Sequence, residues 1–503
     1  MTQTDRKPTI IADAPAASGV RLWGFTLAAA LAAGSSAAVW YAAADLTLSH
    51  YDARAHLVVA RRIIDSLTPG WRQIGAVWLP LPHVLGAVPV QWDWAYRTGA
   101  VATAISVAAM AAGLASLGAL VARRTGSAAA GLASALVVLL NPNVLYLQST
   151  PMTEPLLFGL ALLSLDAVDR WVSRPDRRRR RVAGWLVVAL MLTRYEGWFV
   201  GTGLAGIATL ARTIEARRGR PAGPDPPWAL LPYPAAAVLG FMALSRTTVG
   251  AWFVTGGFYE ATNPSMGRPL AAAEEVLAAA AELGSPLLLA AGLAGTAVCL
   301  WRAWRRPAWA LPVALWFAGA LPFIAFHAGH PHRVRYMVPL VVAAGALAGF
   351  AAAAAPGRLR GAAAAALLLA VVWLRPPLDP EAPMVQEAQW ETPYRLARAP
   401  VTAYLDRRWD GAPILASMGS LAHYMQQTSA IGLDIRDFVH EGNFNLWDAA
   451  VAAPERHVRW VIVEEIAEGG DVLAARARAD PAYLAAFRRV AEGGGVALYE
   501  REP

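Results

Sequence analysis

The stretch that decides the fold is AVATAISVAAMAAGLASLGALV, residues 100–121, which runs for 22 positions without a charged side chain. A helix needs about 20 apolar residues to cross the hydrocarbon layer of a bilayer. Arg123 and Arg124 follow closely, and basic residues of this kind are typical of the cytoplasmic end of a membrane helix. The wider apolar stretch 97–121 is therefore predicted to be a transmembrane helix.

The rest of the chain repeats this pattern. Of its 503 residues, 56% are hydrophobic and 16% are charged, and the mean hydropathy is +0.38, which excludes an ordinary soluble globular protein. The sequence predicts an α-helical polytopic membrane protein with about eleven transmembrane helices. The predicted spans are 22–44, 97–121, 127–147, 155–172, 183–200, 201–213, 228–248, 284–301, 308–326, 336–355 and 361–374.

Basic clusters between the spans set the predicted orientation. With eleven spans, all clusters fall on one side, which the positive-inside rule assigns to the cytoplasm. The N-terminus is then cytoplasmic, and the loops at 45–96, 143–154, 249–270 and 327–335 are extracytoplasmic. The clusters also account for the net charge of +8, so nucleic-acid binding is disfavoured. They comprise Arg6 and Lys7, Arg123 and Arg124, Arg177 to Arg181, Arg217 to Arg220, Arg302 to Arg306, and Arg358 and Arg360.

Three regions are predicted along the chain. A cytoplasmic tail, 1–21, precedes a transmembrane domain, 22–374, whose first outer loop, 45–96, contains amphipathic helices. A proline-rich linker then opens an extracytoplasmic domain, 375–503. This domain is predicted to be a small α/β unit. Its strands are expected at 412–418, 458–463 and 496–499, and its helices at 393–409 and 471–490.

The most informative segment outside the spans is SHYDARAHLVVARRIID, residues 49–65. As a helix, it places Asp52 and His56 on one face through their four-residue spacing, and Arg61 can reach a lipid phosphate or pair with Asp65. This pattern predicts an amphipathic helix on the membrane surface. The alternative is an interfacial helix without a catalytic role, in which Asp52 only caps the N-terminus.

Four short motifs agree in order, spacing and side of the membrane with a known family. Tyr51-Asp52-Ala53, followed by ARR at 60–62, resembles the first outer loop of C-type (GT-C fold) membrane glycosyltransferases. The similar bacterial members are protein mannosyltransferase-like, aminoarabinose transferase-like and galacturonosyltransferase-like enzymes. Many of these have Asp-Glu where this chain has Asp52-Ala53. The other motifs are MTEP at 152–155, TRYEGW at 193–198 and RYMVPL at 335–340.

The resemblance implies inverting transfer of a sugar from a polyprenyl-phosphate donor to a hydroxyl of a lipid, a cell-envelope glycan or a protein. In the family pattern, Asp52 is the catalytic base that takes the proton of the acceptor hydroxyl, a role that contributes roughly 10²–10⁴-fold in rate. His56 would orient Asp52 or the acceptor, and a merely interfacial histidine is the alternative. The sequence contains no glycine-rich nucleotide-binding loop, which favours a lipid-linked donor.

A lipid-phosphate leaving group requires cations at the outer face of the membrane. The segment HAGHPHRVR, residues 327–335, supplies several of them. A structural basic belt is one alternative. A divalent metal bound by the three histidines is another, although no carboxylate accompanies them and no cofactor is indicated. The predicted phosphate-binding residues are Arg61, Arg194, His330, His332, Arg333, Arg335 and Tyr336.

Two carboxylates, Glu154 and Glu196, lie where a predicted span meets the outer face. Burying a charge there is costly, so both are predicted to be second-site carboxylates. Their structural alternatives are a helix start before Pro155 and an ion pair with Arg194. For the whole chain, the competing function is a transporter or lipid flippase. Transporters place charges near the middle of the bilayer in paired halves, whereas these charges crowd one surface.

Overall fold

The computed structural model describes residues 16–220, 223–254, 263–467 and 469–502. The first 15 residues of the predicted cytoplasmic tail and the centre of the outer loop 249–270 lie outside this part. The α-helices of the described membrane region are α1 Ala16–Ala43, α2 Tyr51–Arg61, α3 Leu81–Gly86, α4 Asp93–Thr98, α5 Ala100–Thr125, α6 Ala128–Leu139, α7 Pro142–Leu147, α8 Glu154–Ser173, α9 Arg177–Met191, α10 Glu196–Arg217, α11 Pro232–Val249, α12 Pro269–Gly284, α13 Pro286–Ala303, α14 Ala320–His327, α15 Val338–Ala352 and α16 Arg360–Leu374.

The predicted polytopic helical fold is confirmed, because every predicted span coincides with one or more of these helices. Within the described residues, five segments are both long and apolar enough to cross a membrane: Gly19–Ala43, Ala100–Thr125, Pro286–Ala303, Pro307–His327 and Val334–Ala352. The others are shorter, less apolar or more highly charged. For example, α8 is long enough but contains Glu154, Asp166, Asp169 and Arg170.

Small residues let the helices of the bundle approach closely. A Cβ atom on Gly159 of α8 would overlap the backbone of Ala109 on α5. A Cβ on Gly295 of α13 would likewise overlap the carbonyl oxygen of Leu347 on α15. Such contacts favour helix association in a membrane, because apolar burial adds little there and close packing has to supply the attraction. α15 is enclosed on nearly all sides and forms the centre of the bundle.

The predicted boundary between the spans 183–200 and 201–213 is wrong. The helix break lies earlier, between Met191 at the end of α9 and Glu196 at the start of α10. The indole of Trp198 donates a hydrogen bond to the carbonyl oxygen of Met191 at 2.9 Å and so satisfies one free acceptor of the α9 terminus. The turn holds Arg194, which pairs with carboxylates there.

The C-terminal domain contains a five-stranded sheet of order β2-β1-β3-β5-β4. β1 pairs in parallel with β2 and β3, whereas β5 pairs antiparallel with β3 and β4. The strands are β1 Ile414–Ala416, β2 Phe438–Val439, β3 Trp460–Glu464, β4 Phe487–Gly493 and β5 Val496–Arg501. The helices are α17 Pro383–Ala388, α18 Thr392–Ala397, α19 Ala399–Arg408, α20 Met418–Thr428, α21 Asn445–Ala452, α22 Pro454–His457 and α23 Val472–Ala479.

The α/β class of this domain is as predicted, but one element is not. The expected helix 471–490 ends at Ala479, and 487–493 form the strand β4. Gly494 and Gly495 adopt positive φ angles of 56° and 76°, and the tight turn that they form folds β4 back onto β5. The pairing with β5 overrides the helical propensity of this segment.

The helix α2 does not lie on a membrane surface. Its residues from Asp52 to Arg61 are all buried, and Leu57 and Val58 pack with Leu421 and Met425 of α20. The C-terminal domain therefore covers the loop 45–96. A charged residue next to α2 reinforces the contact, because the buried Asp65 carboxylate accepts hydrogen bonds from Arg61 and Arg436. The first loop and the C-terminal domain form one packed unit.

Candidate active site

The N-terminus of α2 places Asp52 at the centre of the candidate site. His50 precedes the helix, and its Nδ1 accepts a hydrogen bond from the backbone N–H of Asp52 at 3.1 Å. The cap is thus supplied by His50, and the Asp52 carboxylate is free to contact Arg335. Its Oδ2 lies 2.5 Å from Nη1 of Arg335, and both side chains are buried.

A row of alternating charges continues from Arg335. Its Nε lies 4.0 Å from Oε1 of Glu154, which lies 3.1 Å from Nη1 of Arg194. Nη2 of Arg194 lies 3.1 Å from Oε1 of Glu196. The two glutamates are the first residues of α8 and α10, and Arg335 lies just before α15. Three helix N-termini therefore converge here, and their dipoles favour negative charge.

The electrostatic environment keeps Asp52 ionised. Burial raises the pKa of Asp52, but the positive charge of Arg335, together with His50 and His56, outweighs this and lowers the pKa from 3.8 to about 2. A carboxylate with so low a pKa is a weak base. Asp52 can therefore become an effective proton acceptor only when Arg335 moves its charge to another partner.

Sequence reasoning missed Glu387, a buried residue of α17 in the C-terminal domain. Its Oε2 accepts a hydrogen bond from the backbone N–H of Val334 at 2.7 Å, and its Oε1 lies 3.8 Å from Nε2 of His50. Burial raises the pKa of Glu387, but His50 and Arg335 lower it further than burial raises it. The residue anchors the segment that carries Arg335, and no motif in the C-terminal domain could have indicated it.

A second histidine fixes the tautomer of His56. Nδ1 of His83 lies 3.1 Å from the carbonyl oxygen of Leu79 and must donate to it, which leaves Nε2 of His83 as an acceptor. Nδ1 of His56 lies 3.1 Å from that Nε2 and must therefore carry its proton. Nε2 of His56 is then left with a lone pair. The ring of Trp78 packs against both imidazoles, with centroids 4.1 and 5.8 Å away.

These buried histidines predict a pH-dependent stability. Burial lowers the pKa of His83 from 6.5 to about 3, and burial and His83 lower that of His56. Below pH 6.5 the unfolded chain binds protons that the folded chain does not, so stability falls as the pH falls. For His83 alone, the loss at pH 5 is about 2 kcal/mol. We expect His83→Phe to flatten the decline of the melting temperature between pH 7 and pH 5.

The matched control for this prediction is His457→Gln, because His457 is exposed. The control protein should keep the wild-type dependence of melting temperature on pH. An unchanged slope in His83→Phe would instead show that His83 is not a buried neutral imidazole in the folded protein.

The structure places the remaining predicted site residues in two groups. The guanidinium of Arg335 lies 5.3 Å from the ring centre of Tyr336, so Tyr336 borders the site. The charge of Arg333 acts on neighbouring Tyr51, and its guanidinium lies over the ring of Trp390, 5.6 Å from the centroid. Both residues therefore lie near Asp52.

The second group lies outside this arrangement. Arg61 bonds Asp65 and also pairs with Asp93 and Asp434, at 2.8 and 2.7 Å, so its guanidinium joins the first loop to the C-terminal domain. Nδ1 of His332 lies 2.8 Å from Glu275 of α12. These contacts leave Arg61 and His332 out of the phosphate site that we propose below.

The histidines of segment 327–335 are dispersed. His327 packs on Phe323, and Nδ1 of His330 lies 2.9 Å from the carbonyl oxygen of Pro331. In the part of the chain that the structure describes, no group of three histidine, cysteine, aspartate or glutamate side chains has a geometry that could hold a metal ion. The chemistry available here is that of buried carboxylates, a neutral imidazole and two arginines.

Sequence comparison finds no matching family model and no matching curated protein. Comparison of structures finds ArnT from Cupriavidus metallidurans, both bound to undecaprenyl phosphate and in the apo state. The TM-scores are 0.55 and 0.57, respectively. Each match has 15% sequence identity and covers 96% of this chain and 98% of that one. The alignment extends over the helical bundle and the C-terminal domain alike. The chain is therefore a multi-pass membrane protein with the fold of ArnT, a GT-C fold.

Proposed function

We propose that the protein is an inverting glycosyltransferase that moves a sugar from a polyprenyl-phosphate donor to a hydroxyl acceptor. The observation that carries the proposal is the buried carboxylate of Asp52 beside Arg335, Glu154 and Arg194 at converging helix N-termini. ArnT, which has the same fold, was crystallised with undecaprenyl phosphate bound. A lipid phosphate is the ligand that such a set of arginines and helix termini favours.

The reaction requires one proton acceptor and one stabilised leaving group. The acceptor oxygen attacks the anomeric carbon, the bond from that carbon to the phosphate oxygen breaks, and the leaving phosphate keeps the electron pair. Asp52 takes the proton of the hydroxyl. Attack and departure occur on opposite faces of the sugar, so the configuration inverts. Arg335 and Arg194 stabilise the negative charge that develops on the phosphate.

Arg335 couples the two halves of this step. Without donor it pairs with Asp52 at 2.5 Å and keeps that carboxylate a weak base. An arriving phosphate offers Arg335 a second anionic partner. When Arg335 turns to the phosphate, the pKa of Asp52 rises towards its ordinary value, and Asp52 becomes a better proton acceptor. Glu154 and Glu196 act as second-site carboxylates that hold Arg194 in place.

The proposed side of the membrane is the outer face. α8 begins at Glu154 in the site and ends near Asp166 and Asp169, which pair with Arg123. Its 20 residues span about 30 Å, the thickness of the hydrocarbon layer. The basic loops therefore lie at the opposite end of the bundle from the site. With those loops in the cytoplasm, the site and the C-terminal domain face outward, and the N-terminus is cytoplasmic.

The function is tested with purified protein in lipid vesicles and a panel of radiolabelled polyprenyl-phosphate sugars. Extracted lipids, glycans and proteins of the envelope serve as acceptors. Transfer from at least one lipid donor, with none from the matching nucleotide sugars, is expected. Determination of the anomeric configuration by NMR should give a product opposite to the donor.

Two outcomes would contradict the proposal. Retention of the donor configuration would exclude a single displacement. A protein that moves the lipid-linked sugar across the vesicle membrane without any transfer would instead be a flippase, the competing function considered above.

A further inference from the structure

A second buried polar cluster lies between α2 and the C-terminal domain, outside the row of charges around Asp52. We call it the Arg54 cluster. It contains Arg54 of α2, Glu391 and Arg395 at α18, Arg398 next to α19, and His423 of α20. The charges of Arg395, Asp45, Glu391 and Arg398 all act on Arg54, so these groups lie in its neighbourhood.

Most members of the cluster have partners. Arg398 lies 2.5 Å from Glu391, and Nε2 of His423 lies 3.2 Å from the same carboxylate. Arg395 pairs at 2.9 Å with Asp45, which is exposed. Asp45 and Glu391, the two carboxylates whose charges act on Arg54, are therefore already engaged with other cations.

Arg54 has no such partner. Only 5% of its surface is exposed, and its Nε and Nη1 form no hydrogen bond with any residue that the structure describes. The Nε atoms of Arg395 and Arg398 are buried without a partner in the same way. Unsatisfied guanidinium nitrogens of three arginines therefore lie together in this cluster, and a group that accepts hydrogen bonds would satisfy them.

The missing partner must be negatively charged. Burial and the nearby Arg395 lower the pKa of Arg54 to about 10, so its guanidinium stays charged at neutral pH. An unpaired buried cation carries a large free-energy cost, which an anion removes. The fork of guanidinium N–H groups fits the two oxygens of a carboxylate or a phosphate.

The position of the cluster relates it to the candidate active site. Arg54 follows Asp52 by two residues, so the two side chains leave α2 on roughly opposite sides. Tyr51 lies between them: its ring packs on His50 at 4.7 Å and edge-on against His423 at 6.5 Å. A molecule that reaches both sites passes Tyr51, with its reacting hydroxyl and its anionic group about 10 Å apart, the width of a helix.

We propose that the Arg54 cluster binds an anionic group, a phosphate or a carboxylate, of the acceptor whose hydroxyl reacts at Asp52. The identification of the ligand as the acceptor rests on the proposed function. The anion site itself does not, because it follows from the contacts of Arg54 alone.

The first experiment measures the anion site without any transfer reaction. The probe is inorganic phosphate, titrated at constant ionic strength against chloride, and the readout is the melting temperature of the full chain in detergent. Phosphate can also bind at Arg335, so the comparison is made in Arg335→Gln protein. We expect phosphate to raise the melting temperature of that variant, and we expect the addition of Arg54→Gln to abolish the rise.

The melting temperature of Arg54→Gln measured without phosphate shows whether Arg54 serves a ligand site or stabilises the fold. Removing an unpaired buried charge should leave it unchanged or raise it, so Arg54→Gln should be at least as stable as wild type. Arg436→Gln is the matched control, since Arg436 lies at the same domain contact but bonds Asp65. A destabilised Arg54→Gln protein that still responds to phosphate as wild type does would overturn the proposal. If Arg335→Gln fails to fold, the same comparison is made between wild type and Arg54→Gln.

The second experiment tests the assignment to the acceptor. With a saturating lipid donor, acceptors that carry the same hydroxyl with and without an anionic group are compared. Arg54→Gln should raise KM for the anionic acceptor by about tenfold or more, leave kcat and the donor KM unchanged, and leave the neutral acceptor unaffected. Arg54→Lys should restore part of the difference. Equal effects on both acceptors would show that the Arg54 cluster does not bind the anionic group of the acceptor. Absence of any transfer would refute the proposed function. In that case the phosphate titration still decides whether the anion site exists.

Discussion

Asp52→Asn is expected to lower the rate of sugar transfer by about 10²–10⁴-fold, because the acceptor hydroxyl then loses its proton acceptor. Asparagine keeps the size of the side chain and can still contact Arg335, so the fold should persist. His56 presents a lone pair on the same face of α2 and can account for residual activity. The measurement is the initial rate of transfer from a radiolabelled lipid donor, normalised to the amount of protein in the vesicles.

Asp93→Asn is the matched control for this variant. It removes a carboxylate from the same loop, 45–96, but the side chain of Asp93 is 53% exposed. Its activity should stay close to wild type. If Asp52→Asn retained full activity at equal protein levels, Asp52 would have no part in the reaction. The pKa of Asp52 is about 2 in the free protein and approaches its ordinary value of 3.8 when Arg335 turns to the donor, so protonation of Asp52 should lower activity only below about pH 5.

Arg335→Gln should affect both activity and stability. Loss of one charge-assisted donor to the leaving phosphate is expected to lower kcat by about 10²–10³-fold. The variant also leaves the buried carboxylate of Asp52 without its cation, which typically costs about 3–5 kcal/mol. The melting temperature should therefore fall together with the activity, and the donor KM should rise.

The double variant Asp52→Asn/Arg335→Gln separates these effects. It removes both partners of the buried pair, so much of the lost stability should return, whereas activity should not. If the double variant instead lost the sum of the stability losses of the two single variants, the two residues would not interact in the folded protein. An unchanged donor KM in Arg335→Gln would remove the phosphate contact from the proposed mechanism.

Local sequence patterns were sufficient for the architecture. The predicted spans depend on apolar runs such as 100–121. In the bilayer, where no water is present, such a run must satisfy its own backbone hydrogen bonds, and a helix does so. The patterns failed where packing between segments distant in sequence determines the local structure. Residues 487–493 have helical propensity but form β4, because β5 supplies a partner for hydrogen bonds. The helix α2 has the pattern of a surface helix but is covered by α20.

The candidate site shows the same division. Glu154 and Glu196 were selected because a charge at the end of a predicted span is costly to bury. Asp52, Arg194 and Arg335 were selected from motifs that resemble those of the family. The structure brings all five together. Other contributors have no such signal.

Glu387 comes from a short helix of the C-terminal domain, and His83 acquires its role only by contact with a residue 27 positions earlier. Arg61 was selected as a cation that could bind a phosphate, and its charge is used in ion pairs. Its partner Asp434 lies 373 residues away in sequence, and no local pattern reveals a pairing over that distance.

The cover that the C-terminal domain places over α2 sets an order of events during synthesis. A ribosome adding about 5–20 residues per second needs roughly 20–75 s to make the 373 residues between Arg61 and Asp434. Through this interval the loop 45–96 has already been made, but its apolar face and its charges still await their partners. Folding of the chain thus ends with the docking of the C-terminal domain on α2, and a chain cut short after the last predicted span would leave this loop uncovered and open to proteases.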